Sequence, residues 1–348
     1  MERIKPHISG GERTRTLLAV LCSAVAAIIV VSAGPAPQAA ASGSEYQWPV
    51  KPFDQPHPIR GSFGDPRTVF RAPPTETGVL RGTGSFAFHF GVDISAPGGT
   101  KVYPVLSGVI STVTSHWVAV DVGNGRVFQY WHITPTVRAG DRATMGKTVL
   151  GITTDYFQHL HFSELQDSRP VNPLRLGGLS PYADTTIPAV KEITMRRTQT
   201  SSDLMPNLIN GEVLMVVEAY DRPELPIPWP WNNMPVTPAK ITWRIQHMAG
   251  RVVVKTHVAR DVRFTIPQQE HYWDYYARGT FQNMSVFGNH YSYGQPGSFL
   301  FKLTKAPFDT TRLRDGVYDL IVTVSDIAGN HSSTSLRFTV DNDPEARS

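Results

Sequence analysis

The stretch Phe86-Ala87-Phe88-His89-Phe90-Gly91-Val92-Asp93-Ile94 decides the reading of this chain, together with His159-Leu160-His161-Phe162 some seventy residues later. In an extended strand successive side chains alternate faces. The first stretch read as one strand sends Phe86, Phe88, Phe90, Val92 and Ile94 into a core and leaves His89, Gly91 and Asp93 on the other face. A helix would scatter the phenylalanines around its circumference, so the strand reading is preferred. Gly91, between the two polar residues, is expected to leave open space for a metal or a substrate. In the second stretch the same alternation puts His159 and His161 on one face, with Leu160 and Phe162 opposite. Two imidazoles on one strand facing a His and an Asp on another make a divalent-metal constellation. Neutral imidazole and carboxylate suit zinc, and three protein ligands leave a fourth position for water. His132, at the end of the aromatic run Tyr130-Trp131-His132, is a fifth candidate. Glu164 lies an odd number of residues from His161, which puts it off the metal face, and it reads as structural.

The surroundings of these residues are all-β. Between about 60 and 176, short runs rich in Val, Ile, Thr and aromatics alternate with glycine turns, which predicts an antiparallel sheet. Asn124-Gly125 between VAVDV and RVFQYW predicts a hairpin, because both residues tolerate positive φ. A Pro-, Gly- and Leu-rich stretch from Pro170 to Pro188 reads as a linker. Seven further short strands follow it, as in a β-sandwich. The aromatic-rich segment 271–293 reads as a loop packed on that sandwich, and Trp229 and Trp231 as staples of a proline-rich loop.

Composition narrows the function classes. The 348 residues are 41% hydrophobic and only 18% charged, enough to fill two cores. The net charge is +4. Setting aside residues 1–41, which hold Arg3, Lys5, Arg13 and Arg15 against Glu2 and Glu12, leaves an excess of only two positive charges. A folded part so close to balance lacks the electrostatic footprint of a phosphate-backbone binder, so no nucleic-acid partner is expected. The single cysteine, Cys22, lies in the N-terminal apolar run. The rest of the chain can therefore hold no disulfide, thiolate metal site or cysteine nucleophile, and a metal must be bound by His, Asp and Glu.

Residues 1–16 are polar and basic, Leu17 to Ala33 carry no charge, and Ala39-Ala40-Ala41 offers a small-residue cleavage site. Residues 1–41 are thus expected to be a signal peptide or a membrane-anchor helix. Either places the remainder outside the cytoplasm, secreted or attached to the cell envelope.

Across roughly residues 46–176 the ordered motifs resemble the M23 peptidase family, the LytM/lysostaphin-type zinc endopeptidases. The resemblance is carried by Trp48-Pro49-Val50, Phe63-Gly64-Asp65-Pro66-Arg67, His89-Phe90-Gly91-Val92-Asp93 with the following Ile94 to Val105 and Gly108, Gly140-Asp141 ahead of Gly146, His159-Leu160-His161-Phe162, and Asn172-Pro173. It implies that His89, Asp93 and His161 bind Zn2+, and that His132 and His159 act on the water and the oxyanion, in an order the sequence leaves open. It also implies a peptidoglycan peptide as substrate. Before His159 the family often has a glycine-rich turn, whereas this chain has Thr153-Thr154-Asp155-Tyr156-Phe157-Gln158, which is expected to reshape the groove. Residues 185–342, ending in Gly316 to Leu320, Asp326 to Asn330 and Leu336 to Val340, resemble a bacterial immunoglobulin-like domain, expected to act as a spacer or binding module. A non-catalytic, wall-binding regulator of a separate peptidoglycan hydrolase is the alternative. The oligomeric state is not legible.

Overall fold

The computed structural model describes residues 45–70, 84–229, 231–283 and 296–342. The expected export segment, residues 1–41, lies outside the described residues, as does the part of segment 271–293 beyond Asn283. Among the described residues no helix is long and apolar enough to cross a membrane.

The molecule is all-β, as its β-branched and aromatic runs require. An eight-stranded antiparallel sheet runs in the spatial order Ile59–Gly61, Val92–Ser95, His159–Gln166, Arg126–Trp131, Trp117–Gly123, Gly108–Val113 and Arg142–Ala143, with Arg169–Val171 pairing beside His159–Gln166. The Asn124-Gly125 turn closes the hairpin between Trp117–Gly123 and Arg126–Trp131 with φ of 54° and 72°. The apolar face of this sheet buries Val92, Ile94, Phe128, Tyr130, Leu160 and Phe162, together with Trp48 from the approach segment. Each such side chain contributes roughly 1.5–3 kcal/mol when fully buried.

The second half is a sandwich of two four-stranded antiparallel sheets. One holds Ala189–Arg197, Glu212–Tyr220, Leu300–Lys302 and Phe308–Asp309. The other runs in the order Val252–Asp261, Lys240–His247, Gly316–Ser325, His331–Val340. All seven runs picked out by alternation are strands here.

Four expectations change. The stretch from Phe86 to Ile94 is not one strand: Gly84–Phe88 ends at Phe88, and a separate strand begins at Val92. The break occurs because the turn at Ser62 to Asp65 takes over the backbone, with His89 N–H donating to Asp65 O at 2.8 Å and Gly64 N–H donating to His89 O at 2.8 Å. Phe88 then enters the sandwich core, not the core beneath Val92 and Ile94, and packs on Tyr272 and Tyr276. The presumed linker is packed structure: Leu174 and Leu179 are buried in the first core, and Asn172 Nδ2 donates to Val262 O across the halves at 3.1 Å.

Nor is the sandwich a detached spacer. Arg260 is buried to 1% exposure and donates to Gly64 O at 2.9 Å, Tyr276 Oη at 3.0 Å, Thr237 Oγ1 at 3.2 Å and Pro238 O at 3.3 Å. Gln269 clamps the Phe88 backbone, accepting from its N–H at 2.6 Å and donating to its carbonyl at 3.2 Å. Tyr272–Tyr275 form a short helical turn, and Phe86 and Phe88 both pack on the buried ring of Tyr272. At the other end of the junction the carboxylates of Asp184, Asp221 and Asp326 gather with oxygens within 4.8 Å of one another. Burial and the neighbouring Asp184 push the Asp221 carboxyl up to about 8.

Candidate metal centre

Strand register brings the chemistry together. His159–Gln166 lies between Val92–Ser95 and Arg126–Trp131, with His161 paired opposite Asp93 on one side and Trp131 on the other. Residues directly opposite in an antiparallel pair project to the same face, so Asp93 and His161 meet while Val92, Leu160 and Phe162 go to the core. Asp93 Oδ1 stands 3.1 Å from His89 Nε2, 3.1 Å from His161 Nδ1 and 3.4 Å from His159 Nε2. His89 Nε2 and His161 Nδ1 are 2.7 Å apart. His89, Asp93, His159 and His161 are all buried, at 6% exposure or less.

Hydrogen bonding of the other ring nitrogens sets the tautomers. His89 Nδ1–H donates to Ser62 O at 2.8 Å, which leaves the lone pair on Nε2. His159 Nδ1–H donates to Phe157 O at 2.7 Å, again leaving the lone pair on Nε2. His161 Nε2 is held by Ser163 Oγ at 2.9 Å, which leaves Nδ1 facing Asp93. The lone pairs of His89 Nε2 and His159 Nε2, the carboxylate oxygen of Asp93 and the Nδ1 of His161 therefore converge, a donor set that fits a divalent cation. Burial, then the Arg67 cation, lowers His89 to about 3, so its imidazole is neutral and able to ligate at neutral pH. Burial would raise the Asp93 carboxyl, but the His89 and His159 rings and Arg67 hold it well below the usual carboxylate range. Of these neighbours Arg67 alone is a permanent cation, and its Nη2 donates to Asp93 Oδ2 at 2.7 Å.

His132 follows the end of strand Arg126–Trp131 and adopts a left-handed φ of 66°, which re-aims its ring. It lies 4.6 Å, edge-on, from His159 and stacks at 3.9 Å on Phe157. Its Nδ1 is buried without a hydrogen-bond partner. Burial, then the neighbouring His159, pushes it down to about 3. All five residues singled out from the sequence thus lie in one cluster.

Two local readings are corrected. The space above Gly91 is not open to a ligand, because a Cβ there would meet Phe162 O at 2.4 Å, Ser163 Oγ at 2.5 Å and His161 Nε2 at 3.0 Å. Glycine is needed so that the Ser163–His161 contact can form. Phe90 faces the cleft rather than the core, with its ring 4.7 Å from His161 and 6.0 Å from Trp131. Glu164 is off the metal face, as its parity requires. It accepts from Tyr46 Oη at 2.7 Å, Arg126 Nε at 2.7 Å and Arg175 Nη1 at 2.6 Å, a structural anchor.

Sequence reasoning passed over Ser163, Arg60, Arg67 as a partner of Asp93, and Trp231. Ser163 was legible, since it lies two residues beyond His161 and shares its face. The others depend on contacts across the fold. The cluster opens into a cleft of about 480 Å³ lined on one side by Arg60, Phe90, Trp131 and Phe157 and on the other by Trp231, Gln282, Asn283 and Phe299 of the sandwich. The second half is thus a wall of the cleft.

Comparison with known proteins agrees with the motifs. Residues 87–173 match the model of Peptidase family M23, and residues 301–342 match that of the Bacterial Ig-like domain. No curated protein matches. Among solved structures, the chain is similar to a zinc-containing peptidase from Vibrio cholerae at 24% identity and a TM-score of 0.27, over 36% of this chain and 38% of that one. It is similar to Csd3 from Helicobacter pylori at 23% identity and a TM-score of 0.27, over 38% of this chain and 34% of that one. The catalytic domain of the prophage-encoded M23 protein EnpA from Enterococcus faecalis is similar at 22% identity and a TM-score of 0.23, over 32% of this chain and 92% of that one. The chain thus spans little more than a third of the length of the first two.

Proposed function

We propose, for a chain that carries an M23 peptidase segment and a bacterial Ig-like segment, that residues 46–176 are a zinc-dependent endopeptidase domain acting on peptide bonds of bacterial peptidoglycan outside the cytoplasm. Residues 1–41 then serve as the export signal or anchor, and residues 185–342 form the Ig-like domain that walls the cleft. The observation that carries this reading is the convergence of His89 Nε2, His161 Nδ1 and Asp93 Oδ1, with the remaining imidazole nitrogens already engaged by Ser62 O and Ser163 Oγ.

His89, Asp93 and His161 would hold the ion. Bound there, zinc supplies Lewis-acid chemistry, polarising the scissile carbonyl and acidifying water. His159 accepts the proton of the attacking water at Nε2, because its Nδ1–H is fixed on Phe157 O, and returns it to the leaving amine. His132, neutral at pH 7 and stacked under Phe157, donates a ring N–H to the developing oxyanion. Arg67 keeps Asp93 ionised and oriented. Phe90, Trp131 and Phe157 limit water in the cleft and contact the peptide backbone.

The test is metal content together with release of peptide fragments from purified sacculi. Wild type is expected to hold one zinc per chain and to release fragments, and His161→Ala to lose both. Stoichiometric zinc without cleavage, combined with stimulation of a separate hydrolase, would favour the regulator and end the endopeptidase reading.

A further inference from the structure

Alternation along the first sandwich sheet gathers a second set of charges, none of which lines the cleft at the metal centre. Ile193, Met195, Val213, Met215 and Val217 enter the sandwich core, so Arg196, Leu214 and Val216 project from the sheet's outer face. Register puts Arg196 opposite Leu214 and Lys302 opposite Val216, on that same face. Its floor is apolar, with Val216, Ala277 and Leu300 buried against one another. Arg278, just after the turn Tyr272–Tyr275, and Lys305, just after strand Leu300–Lys302, flank it. The result is a pocket of about 300 Å³ lined by Arg196, Arg278, Lys302, Lys305 and the hydroxyl residues Thr198 and Ser201, with no carboxylate.

These cations are held in place but incompletely neutralised. Arg196 Nε donates to Thr194 Oγ1 at 3.2 Å and to Asp203 Oδ1 at 3.0 Å, yet the Asp203 side chain is 65% exposed, so water weakens the pair. Lys302 Nζ donates to Trp273 O at 2.5 Å, which uses one of its three N–H groups. Arg278 and Lys305 lie against the rings of Trp273 and Tyr275, 6.0 and 5.2 Å from their centroids. Among the described residues neither these two nor Lys302 has a carboxylate within ion-pair distance, and Asp274 is paired with His271 at 2.9 Å. Burial lowers the Lys302 ammonium against the pull of Asp274, and the Arg278 cation lowers it further. Like charges thus repel over an apolar floor, where screening is poor.

An oxyanion would relieve that repulsion. Even with Asp203 and Asp274 set against the four cations, two positive charges remain unmatched. A phosphate monoester carries about that much negative charge near pH 7, roughly −1.5 to −2, and offers three acceptor oxygens where a carboxylate offers two. We propose that this pocket binds a phosphate monoester dianion through Arg278, Lys302 and Lys305. The site is independent of the endopeptidase reading. The phosphate has two sources, a soluble phosphorylated molecule or a lipid headgroup.

Calorimetry on the full chain tests the chemistry. Inorganic phosphate and glycerol 3-phosphate are expected to bind about tenfold more tightly than dimethyl phosphate or acetate, which carry a single charge. Arg278→Ala combined with Lys305→Ala, both at exposed positions, should weaken phosphate binding about tenfold or more, and Lys302→Met should do the same. Lys191→Ala, which removes an exposed partner of Glu218 outside the pocket, should leave it unchanged. Thermal melts of each variant report on folding. Co-sedimentation with phosphatidic acid vesicles, but not with phosphatidylcholine vesicles, assigns the phosphate to a lipid; binding of the soluble ligands without co-sedimentation assigns it to solution. Equal affinity for phosphate and acetate, phosphate affinity that survives the paired substitution, or no binding in any arm overturns the proposal.

Discussion

Replacing Glu164 by Gln separates structural from catalytic carboxylates in this fold. Glu164 is 1% exposed and accepts four hydrogen bonds: from Tyr46 Oη, from Arg126 Nε, and from Arg175 Nη1 and Nη2 at 2.6 and 2.8 Å. Glutamine keeps one oxygen and puts an NH2 group where the other stood, facing donors. Either orientation of the amide loses at least one guanidinium contact, and the one that puts the NH2 group in place of Oε2 also forces Tyr46 to give up its donation. Hydrogen bonds to charged groups contribute about 1.5–3 kcal/mol each, and breaking a buried ion pair costs about 3–5 kcal/mol. Recovered solvation of the lost charge and the retained oxygen place Glu164→Gln near the lower end, about 3 kcal/mol. Equilibrium urea unfolding of the metal-free proteins, followed by tryptophan fluorescence, should show the midpoint falling with an unchanged slope. At a temperature where both are folded, the zinc-loaded variant should cleave peptide within about threefold of wild type, because parity keeps residue 164 away from His161. A loss of stability under about 1 kcal/mol would refute the network's role. A hundredfold loss of kcat with an unchanged unfolding curve would make Glu164 part of the chemistry.

Arg260→Ala removes the buried cation that ties Gly64 to the sandwich and should lower stability by roughly 2–4 kcal/mol, splitting a single urea transition into two; one unshifted transition would contradict this. Deleting residues 185–348 uncovers Phe88 and the cleft's second wall, so the truncated chain is expected to aggregate or lose activity, and a soluble, fully active truncation would disprove the coupling. For Asp221 the folded value of about 8 lies above an unfolded value near 3.9. The folded state therefore binds the extra proton, and the contribution of Asp221 to stability should decline as pH rises from about 4 to 8. Asp221→Asn should raise the melting temperature at pH 8 relative to wild type and narrow the gap at pH 5, as differential scanning at both pH values will show. His89 and His132 titrate near 3 in the fold against about 6.5 unfolded, so with the opposing Asp221 titration removed by Asp221→Asn the metal-free protein should lose stability as pH falls from 6.5 towards 3; a urea midpoint of that variant constant between pH 7.5 and 5 would refute it.

Much of the site was legible because it obeys a local rule. Period-two alternation alone places His159 with His161 and sends Leu160 and Phe162 away from them, and it also removes Glu164 from the chemistry. The same rule failed from Phe86 to Ile94, where it assumed continuous pairing. The turn at Ser62 to Asp65 captures the His89 backbone, so the strand stops at Phe88 and the phenylalanines on either side of the break go to different places. The linker reading of Pro170 to Pro188 failed similarly: composition registers turns, but not that Leu174 and Leu179 find a core.

What the sequence determined by itself is what neighbouring residues dictate to one another: the strands, the Asn124-Gly125 hairpin, the absence of thiol chemistry beyond Cys22, and an inventory of imidazoles and carboxylates at strand spacing. Only the tertiary structure decided which ring nitrogens face inward, because the groups that orient the rings are the carbonyls of Ser62 and Phe157 and the hydroxyl of Ser163. Backbone carbonyls leave no mark in composition or periodicity. The tertiary structure also decided that a tryptophan 171 positions after Arg60 in the chain should stack on it. Such a contact arises from how two cores pack against each other, and no short-range pattern encodes it.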